Sequence, residues 1–316
     1  MIVKQMFPLQ YEVIVVLWRR KKLMCEMHKQ GGERKIMKKK LALFMVAVLM
    51  LVACPISQAK AANTGITTIQ FGKVYKNFDL DGDGKKDSFK VTTSYPKGDQ
   101  YGSGILSIYV NNKKVFSQKR RYAPYWNVNL VTVGTGETFI DYEGCIESGD
   151  GCIHRLYRVQ KNKLKMLYDF QKYYDECASY YNVTIKKVEG NTIYTSAGAQ
   201  FNATGGIDWK MNYVYQDGRI GRTSSQFTPI YYDVDGNELK SKKWTANRNL
   251  NVYDTLGGSK RKYTVKKNEV VQIVKIVFKD FKVYFQVKDK NGNLRYLFNP
   301  NTTPNPEYFK EAQRAG

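Results

Sequence analysis

The nine residues Asp79-Leu80-Asp81-Gly82-Asp83-Gly84-Lys85-Lys86-Asp87 are the stretch of this 316-residue chain whose residue types and spacing together specify a chemistry. Carboxylates on alternate residues, glycines where the backbone must turn sharply and a further carboxylate at the ninth position meet the needs of a hard, oxygen-seeking cation. The reading is a calcium loop in which Asp79, Asp81, Asp83 and Asp87 offer side-chain oxygen and Lys85 a backbone carbonyl. The helical version of such loops closes on a two-oxygen Glu three positions further on, where this chain has Lys90, so that version fails. The alternating run Ser88-Phe89-Lys90-Val91-Thr92-Thr93 follows at once and places the loop between strands. The competing reading is a solvated Asp-Gly turn whose acids keep a hairpin soluble.

Over about residues 71 to 116 the loop and its flanking runs resemble the FG-GAP, or VCBS-type, repeats of extracellular proteins. The resemblance implies a calcium ion that crosslinks a hairpin and takes no part in activating water. Such repeats commonly stack into a propeller with one acidic loop per blade, whereas this chain has one loop and no internal period. About 175 residues are too few for seven blades of roughly 40 to 50 residues. A twisted antiparallel sheet or sandwich, partly propeller-like, is therefore expected.

A second constellation, Ser148-Gly149-Asp150-Gly151-Cys152-Ile153-His154-Arg155, is similar to the nucleophile segment of L,D-transpeptidases. On a strand Cys152 and His154 would share a face, as a thiolate pair requires. His154 interrupts the Cys-Ile-Arg run, and the upstream His-Gly that supplies that family's base is missing. His154 is also the single histidine after residue 61, which leaves little for Ser/His/Asp or histidine-metal catalysis. A wall-modifying cysteine enzyme using Cys152 stands as the alternative to a non-catalytic protein. Cys145 and Cys152 flank a short Gly-rich loop and can pair, leaving Cys177 as a free thiol. Glu137, Asp141, Glu143, Glu147 and Asp150 form a loose acidic region that reads as a solvated loop before a cation site. Tyr232-Asp233-Val234-Asp235-Gly236-Asn237-Glu238 reads as a hairpin turn or linker.

From Trp244 to about Pro300 the residues resemble a bacterial SH3-like domain. The resemblance rests on Asn249-Leu250-Asn251-Val252-Tyr253-Asp254, the Gly257-Gly258-Ser259 turn, the run from Tyr263 to Val271, and Phe285-Gln286-Val287 before Asn291-Gly292. Tyr253 stands where the family usually has Arg, and Arg295-Tyr296 where it usually has Gly-Trp. The resemblance implies a small barrel that binds cell-wall peptide or glycan, with Tyr253, Tyr263, Tyr284 and Tyr296 as groove aromatics suited to stacking. The alternative roles are a small core completed by these tyrosines and a protein-interaction module.

The elements that must position these groups are short alternating runs broken by turn dipeptides, an all-β signature. Hairpins are predicted for Leu106 to Val110 with Lys113 to Phe116, for Leu156 to Val159 with Leu164 to Tyr168, for Val183 to Val188 with Thr192 to Tyr194, and for Trp209 to Tyr215 turning at Gln216-Asp217-Gly218. Only Asp169 to Tyr181 reads as a helix. Upstream, Lys38-Lys39-Lys40, the apolar run Leu41 to Ala53 and Ala59-x-Ala61 form an export signal over residues 37–61, too short for a permanent span. Leu51-Val52-Ala53-Cys54 offers a rival lipoprotein site at Cys54. Met37 reads as the start, and residues 1–36 as an over-extended start or a leader. The organisation expected is a β-domain over 65–240, an SH3-like domain over 241–300 and a tail over 301–316.

The whole chain carries a formal net charge of +23. Residues 1–61 hold 12 of its Lys and Arg and 3 of its Asp and Glu, so the remainder keeps a net of about +14. An exported basic protein attracts anionic wall polymer on peptidoglycan, phospholipid headgroups, acidic glycans and released nucleic acid through one non-specific field. No specific nucleic acid partner is expected. The opposing reading is that the lysines are solvated strand faces and edge protectors.

Overall fold

The computed structural model describes residues 64–312, apart from 99–101, 123, 147–151, 173–179, 234, 259–260 and 301–306. The leader, the export signal, Cys54 and Cys177 lie outside the described residues. No helix among the described residues is long and apolar enough to cross a membrane. Every described element is a strand or a turn, so the all-β expectation holds.

The chain opens with β1 (Gly65–Thr68), then a meander of β2 (Val74–Phe78), β3 (Asp87–Ser94), β4 (Gly104–Val110) and β5 (Lys113–Arg120). These four pair in sequence order as one antiparallel sheet. A second sheet follows from β6 (Tyr125–Thr132), β7 (Thr138–Cys145), β8 (Ile153–Gln160) and β9 (Lys163–Asp169), with β1 returning to pair with β6. Strand alternation sorts the side chains into faces. Phe89, Val91, Leu106 and Ile108 from the first sheet meet Val128, Leu130, Ile140 and Tyr142 from the second in one buried cluster. The opposite face of the second sheet carries Val131, Phe139 and Leu156 into a different core.

That larger core is organised by three long strands, β10 (Tyr180–Glu189), β11 (Thr192–Phe201) and β12 (Gly205–Gln216). β11 alternates without a break between half-buried and buried residues along its whole length, which commits one face to the interior. The turns are of the kind that lets a right-twisted hairpin close in two residues. Asn111 and Asn112, Lys161 and Asn162, and Asp217 and Gly218 all have positive φ. Each predicted hairpin is present. The helix expected over Asp169 to Tyr181 is not seen at its ends: Asp169 ends β9, Phe170 to Lys172 form a turn and Tyr180 and Tyr181 begin β10, while residues 173–179 lie outside the described ones.

After β13 (Arg219–Arg222) the chain forms β14 (Gln226–Phe227), β15 (Pro229–Tyr232) and β16 (Glu238–Leu239). It continues through β17 (Lys243–Thr245), β18 (Leu250–Tyr253), β19 (Arg261–Val265), β20 (Val270–Lys279), β21 (Lys282–Lys288) and β22 (Leu294–Asn299). β13, β15 and β16 extend the sheet of β10 to β12, while β14 leaves it to pair with β20 in a seven-stranded half-barrel with β17 to β22. The inner face of β11 and β12 serves both neighbours. Tyr213 and Tyr215 pack on Phe170 and Phe139 of the second-sheet side, and Phe201 and Trp209 pack on Phe285 and Phe278 of the half-barrel. A single buried cluster therefore runs from Val131 to Phe309 and crosses position 240. Phe309 closes its far end against Trp244, beside a bridge to Ala246.

A disulfide joins Cys145, at the end of β7, to Cys152, just before β8. The closed loop is short, with a sequence separation of 7. On the loop-entropy argument, the Cys145→Ser, Cys152→Ser double variant should lose about 2–3 kcal/mol. Urea unfolding of the variant, and of the wild type with and without reductant, checks this.

Candidate metal centre

The acidic loop joins β2 to β3, and its shape follows from its own carboxylates. Asp79 accepts the backbone N–H groups of Gly82 through Oδ1 at 2.7 Å and of Gly84 through Oδ2 at 2.8 Å. Both glycines have positive φ, 81° and 84°, where an L side chain is strained. Asp81 accepts from the Asp83 amide at 3.2 Å, and Asp83 from the Lys85 amide at 2.8 Å. Leu80 is 3 % exposed and plugs the loop into the sandwich core. Asp87, the first residue of β3 and 4 % exposed, receives the Leu80 amide on Oδ2 at 2.7 Å and the Asn111 side-chain amide on Oδ1. Asn111 lies in the β4–β5 turn and also exchanges hydrogen bonds with Ser88, so the loop is tied to the neighbouring hairpin.

Carboxylate oxygens of Asp79, Asp81 and Asp87 all lie within 4.8 Å of one another. Oxygens that far apart can share a calcium ion at 2.3–2.6 Å from each. Asp83 is outside this group; its carboxylate is used on the Lys85 amide. Lys85, the residue expected to offer a backbone carbonyl, is exposed, and its amide is used on Asp83. The Asp81 carboxyl is held above its usual range, first by burial and then by repulsion from Asp87, Asp83 and Asp79, against an opposing hydrogen bond from the Asp83 amide. The donor set is hard oxygen throughout, and three of the four expected aspartates fit one cation.

Compared with known protein families, curated proteins and solved structures, the chain matches none. The site has to be read from its own chemistry.

The four tyrosines of the half-barrel fall on two sides of its sheet. Tyr253 of β18 is the direct partner of Tyr296 of β22, which in turn lies opposite Gln286 of β21 and accepts its amide at 3.2 Å. Two residues along, Tyr284 meets Phe298 with ring centres 5.5 Å apart. Tyr253, Tyr296 and Tyr284 therefore line one half-buried outer face. Tyr263 packs instead against the core; its hydroxyl donates to Glu269, and the Arg295 guanidinium lies 5.3 Å above its ring. Arg295 also ion-pairs with Asp254 and Asp289.

Cys152 is bonded to Cys145, and its sulfur is not available as a thiolate. His154 is 2 % exposed and points into the interface between the second and third sheets. Its Nε2 lies 2.7 Å from Asp141 Oδ1, while Asn129 donates to Asp141 Oδ2 at 3.1 Å. Burial alone would lower the His154 pKa, but the charge and hydrogen bond of Asp141, the charge of Glu143 and the Val183 backbone raise it overall. Within the loose acidic region Glu137 accepts from Arg158 and Tyr215, Asp141 holds His154, and Glu147 and Asp150 lie outside the described residues.

Sequence reasoning missed this buried His154–Asp141–Asn129 cluster, because nothing in one strand's pattern shows what the next strand sets opposite it. It also missed a repeated turn. Asp233 accepts the amides of Asp235 and Asn237, and Asp289 those of Asn291 and Asn293, with Gly236 and Gly292 at positive φ. Side-chain and backbone hydrogen bonds from Asn237 hold the Asp233 carboxyl below its usual range. The spacing Asp-x-(Asp/Asn)-Gly-Asn was legible as the signal. The first of these turns joins β15 to β16, in line with the hairpin reading of residues 232–238.

Proposed function

We propose that the chain is an exported, non-catalytic binding protein, held in shape by calcium at the β2–β3 loop, that attaches to cell-wall peptidoglycan or another anionic surface polymer through its C-terminal half-barrel. The resemblances to FG-GAP or VCBS-type repeats and to SH3-like domains belong to this proposal. The observation that carries the attachment is the outer row of Tyr253, Tyr296 and Tyr284 with Gln286 between them. Rings side by side with an amide suit the flat faces and polar edges of a sugar or peptide chain. The positive charge of the exported portion supports an anionic polymer. Calcium is supported by the convergence of Asp79, Asp81 and Asp87.

Co-sedimentation of the full chain with purified peptidoglycan, with and without its wall polymer, tests the reading. Binding at low and moderate salt is expected. The Tyr284→Ala, Tyr296→Ala double variant should weaken it about tenfold, on roughly 0.5–1.5 kcal/mol per lost aromatic contact. A wild-type chain that stays in the supernatant at both salt concentrations would refute the attachment.

A further inference from the structure

The outer face of the β10–β12 sheet has a groove of about 820 Å³, within the size range of small-molecule sites. Its floor is set by register. Asn182, Gly198, Asp208 and Ile230 form one cross-strand row, and Thr184, Ser196 and Lys210 the next. A Cβ at Gly198 would come within 2.2 Å of Asp208 Oδ1, so any larger residue there would displace the carboxylate. The Asp208 carboxylate thus lies flat over a glycine notch. It is half-buried, and no residue among the described ones donates to it. Burial pushes its carboxyl above the usual range. Tyr232, 51 % exposed, stands at one end of the groove and Tyr194 at the other, with the Lys187 ammonium 4.5 Å above the Tyr194 ring. Lys186 and Lys210 also line the groove, and neither is in any ion pair among the described residues.

We propose that this groove is a second binding site, for a short acidic oligosaccharide, separate from the half-barrel face. A half-buried carboxylate with no donor among the described residues is an acceptor held ready for paired hydroxyls, which sugars supply. Asn182 and Ser196 add neutral donors and acceptors beside it. Tyr194 and Tyr232 give apolar walls for the faces of pyranose rings. Lys186 and Lys210 neutralise acid groups on the ligand and disfavour a cationic one. Asp208 in turn separates this site from a plain polyanion sink, for which a negative charge in the floor is a handicap.

That opposition makes Asp208→Asn the deciding variant. Calorimetric titration of the full chain with hexagalacturonate at moderate salt should show saturable binding, weakened at least tenfold by Asp208→Asn and several-fold by Lys210→Gln. The same Asp208→Asn variant should melt at a higher temperature than the wild type at neutral pH, since it removes a half-buried charge without a partner; an aspartate that merely supported the fold would move the melting point the other way. Unchanged or tighter binding by Asp208→Asn would overturn the proposal in favour of non-specific charge attraction. Equal binding of the neutral cellohexaose would overturn the assignment of an acidic ligand.

Discussion

Replacing Asp141 with alanine is expected to destabilise the protein by about 3–5 kcal/mol, the range for removing one partner of a buried ion pair. The cost comes from what is left behind. His154 and Asn129 lie between two sheets with Phe170 packed 4.6 Å from the imidazole, and neither reaches water to replace the lost acceptor. The pair also sets a pH dependence. Because the folded His154 pKa is raised above the ordinary 6.5, the stabilisation is fully present below that value and is lost as pH climbs through the folded pKa. Stability should therefore decline as pH rises above 6.5, and His154→Gln should flatten that limb. Urea unfolding of wild type, Asp141→Ala and His154→Gln across pH 6 to 10 checks both statements.

Calcium should produce the other large effect. At a dissociation constant near 0.1 mM, toward the weak end expected outside cells, about 10 mM calcium would stabilise the folded chain by about 2.7 kcal/mol. For a body of this size that corresponds to a rise of roughly 5–10 °C in melting temperature. Two variants separate the ion from the loop's own hydrogen bonds. Asp81 is exposed and its carboxylate is crowded by Asp79, Asp83 and Asp87, so Asp81→Asn should abolish the calcium shift while leaving the chelated protein as stable as before or slightly more so. Asp87→Ala should cost about 1–3 kcal/mol even without calcium, since it strands the Leu80 amide and the Asn111 side chain.

The parts of this architecture that were legible in the sequence are those written in local pattern. Alternation over Val183 to Tyr215 and the dipeptides Asn111-Asn112 and Asp217-Gly218 specify strands and two-residue turns whatever surrounds them. The acidic loop belongs to the same class, because Asp79, Asp81 and Asp87 are brought together by a chain only nine residues long. What was not legible depends on partners distant in sequence. Phe201 and Trp209 give no local sign that they will pack on Phe285 and Phe278. Asp141 meets His154 only through the register of β7 with β8, and Gly198 looks like a weak strand residue until Asp208 is seen to occupy the space above it. The run read as a helix begins with Asp169 in β9 and ends with Tyr180 and Tyr181 in β10, so both of its ends belong to sheets through pairing that local pattern does not show. Tyr263 matched the pattern of the other three tyrosines, but its register partner is the buried Val252, which sets it on the core side under the Arg295 guanidinium.

Isothermal calorimetry of the chelated full chain against calcium, run beside Asp81→Asn, tests the central claim most directly. The wild type should take up one ion per chain with a dissociation constant of about 0.1–1 mM, and Asp81→Asn should give no heat. No binding heat from the wild type together with an unchanged melting temperature at 10 mM calcium would contradict it.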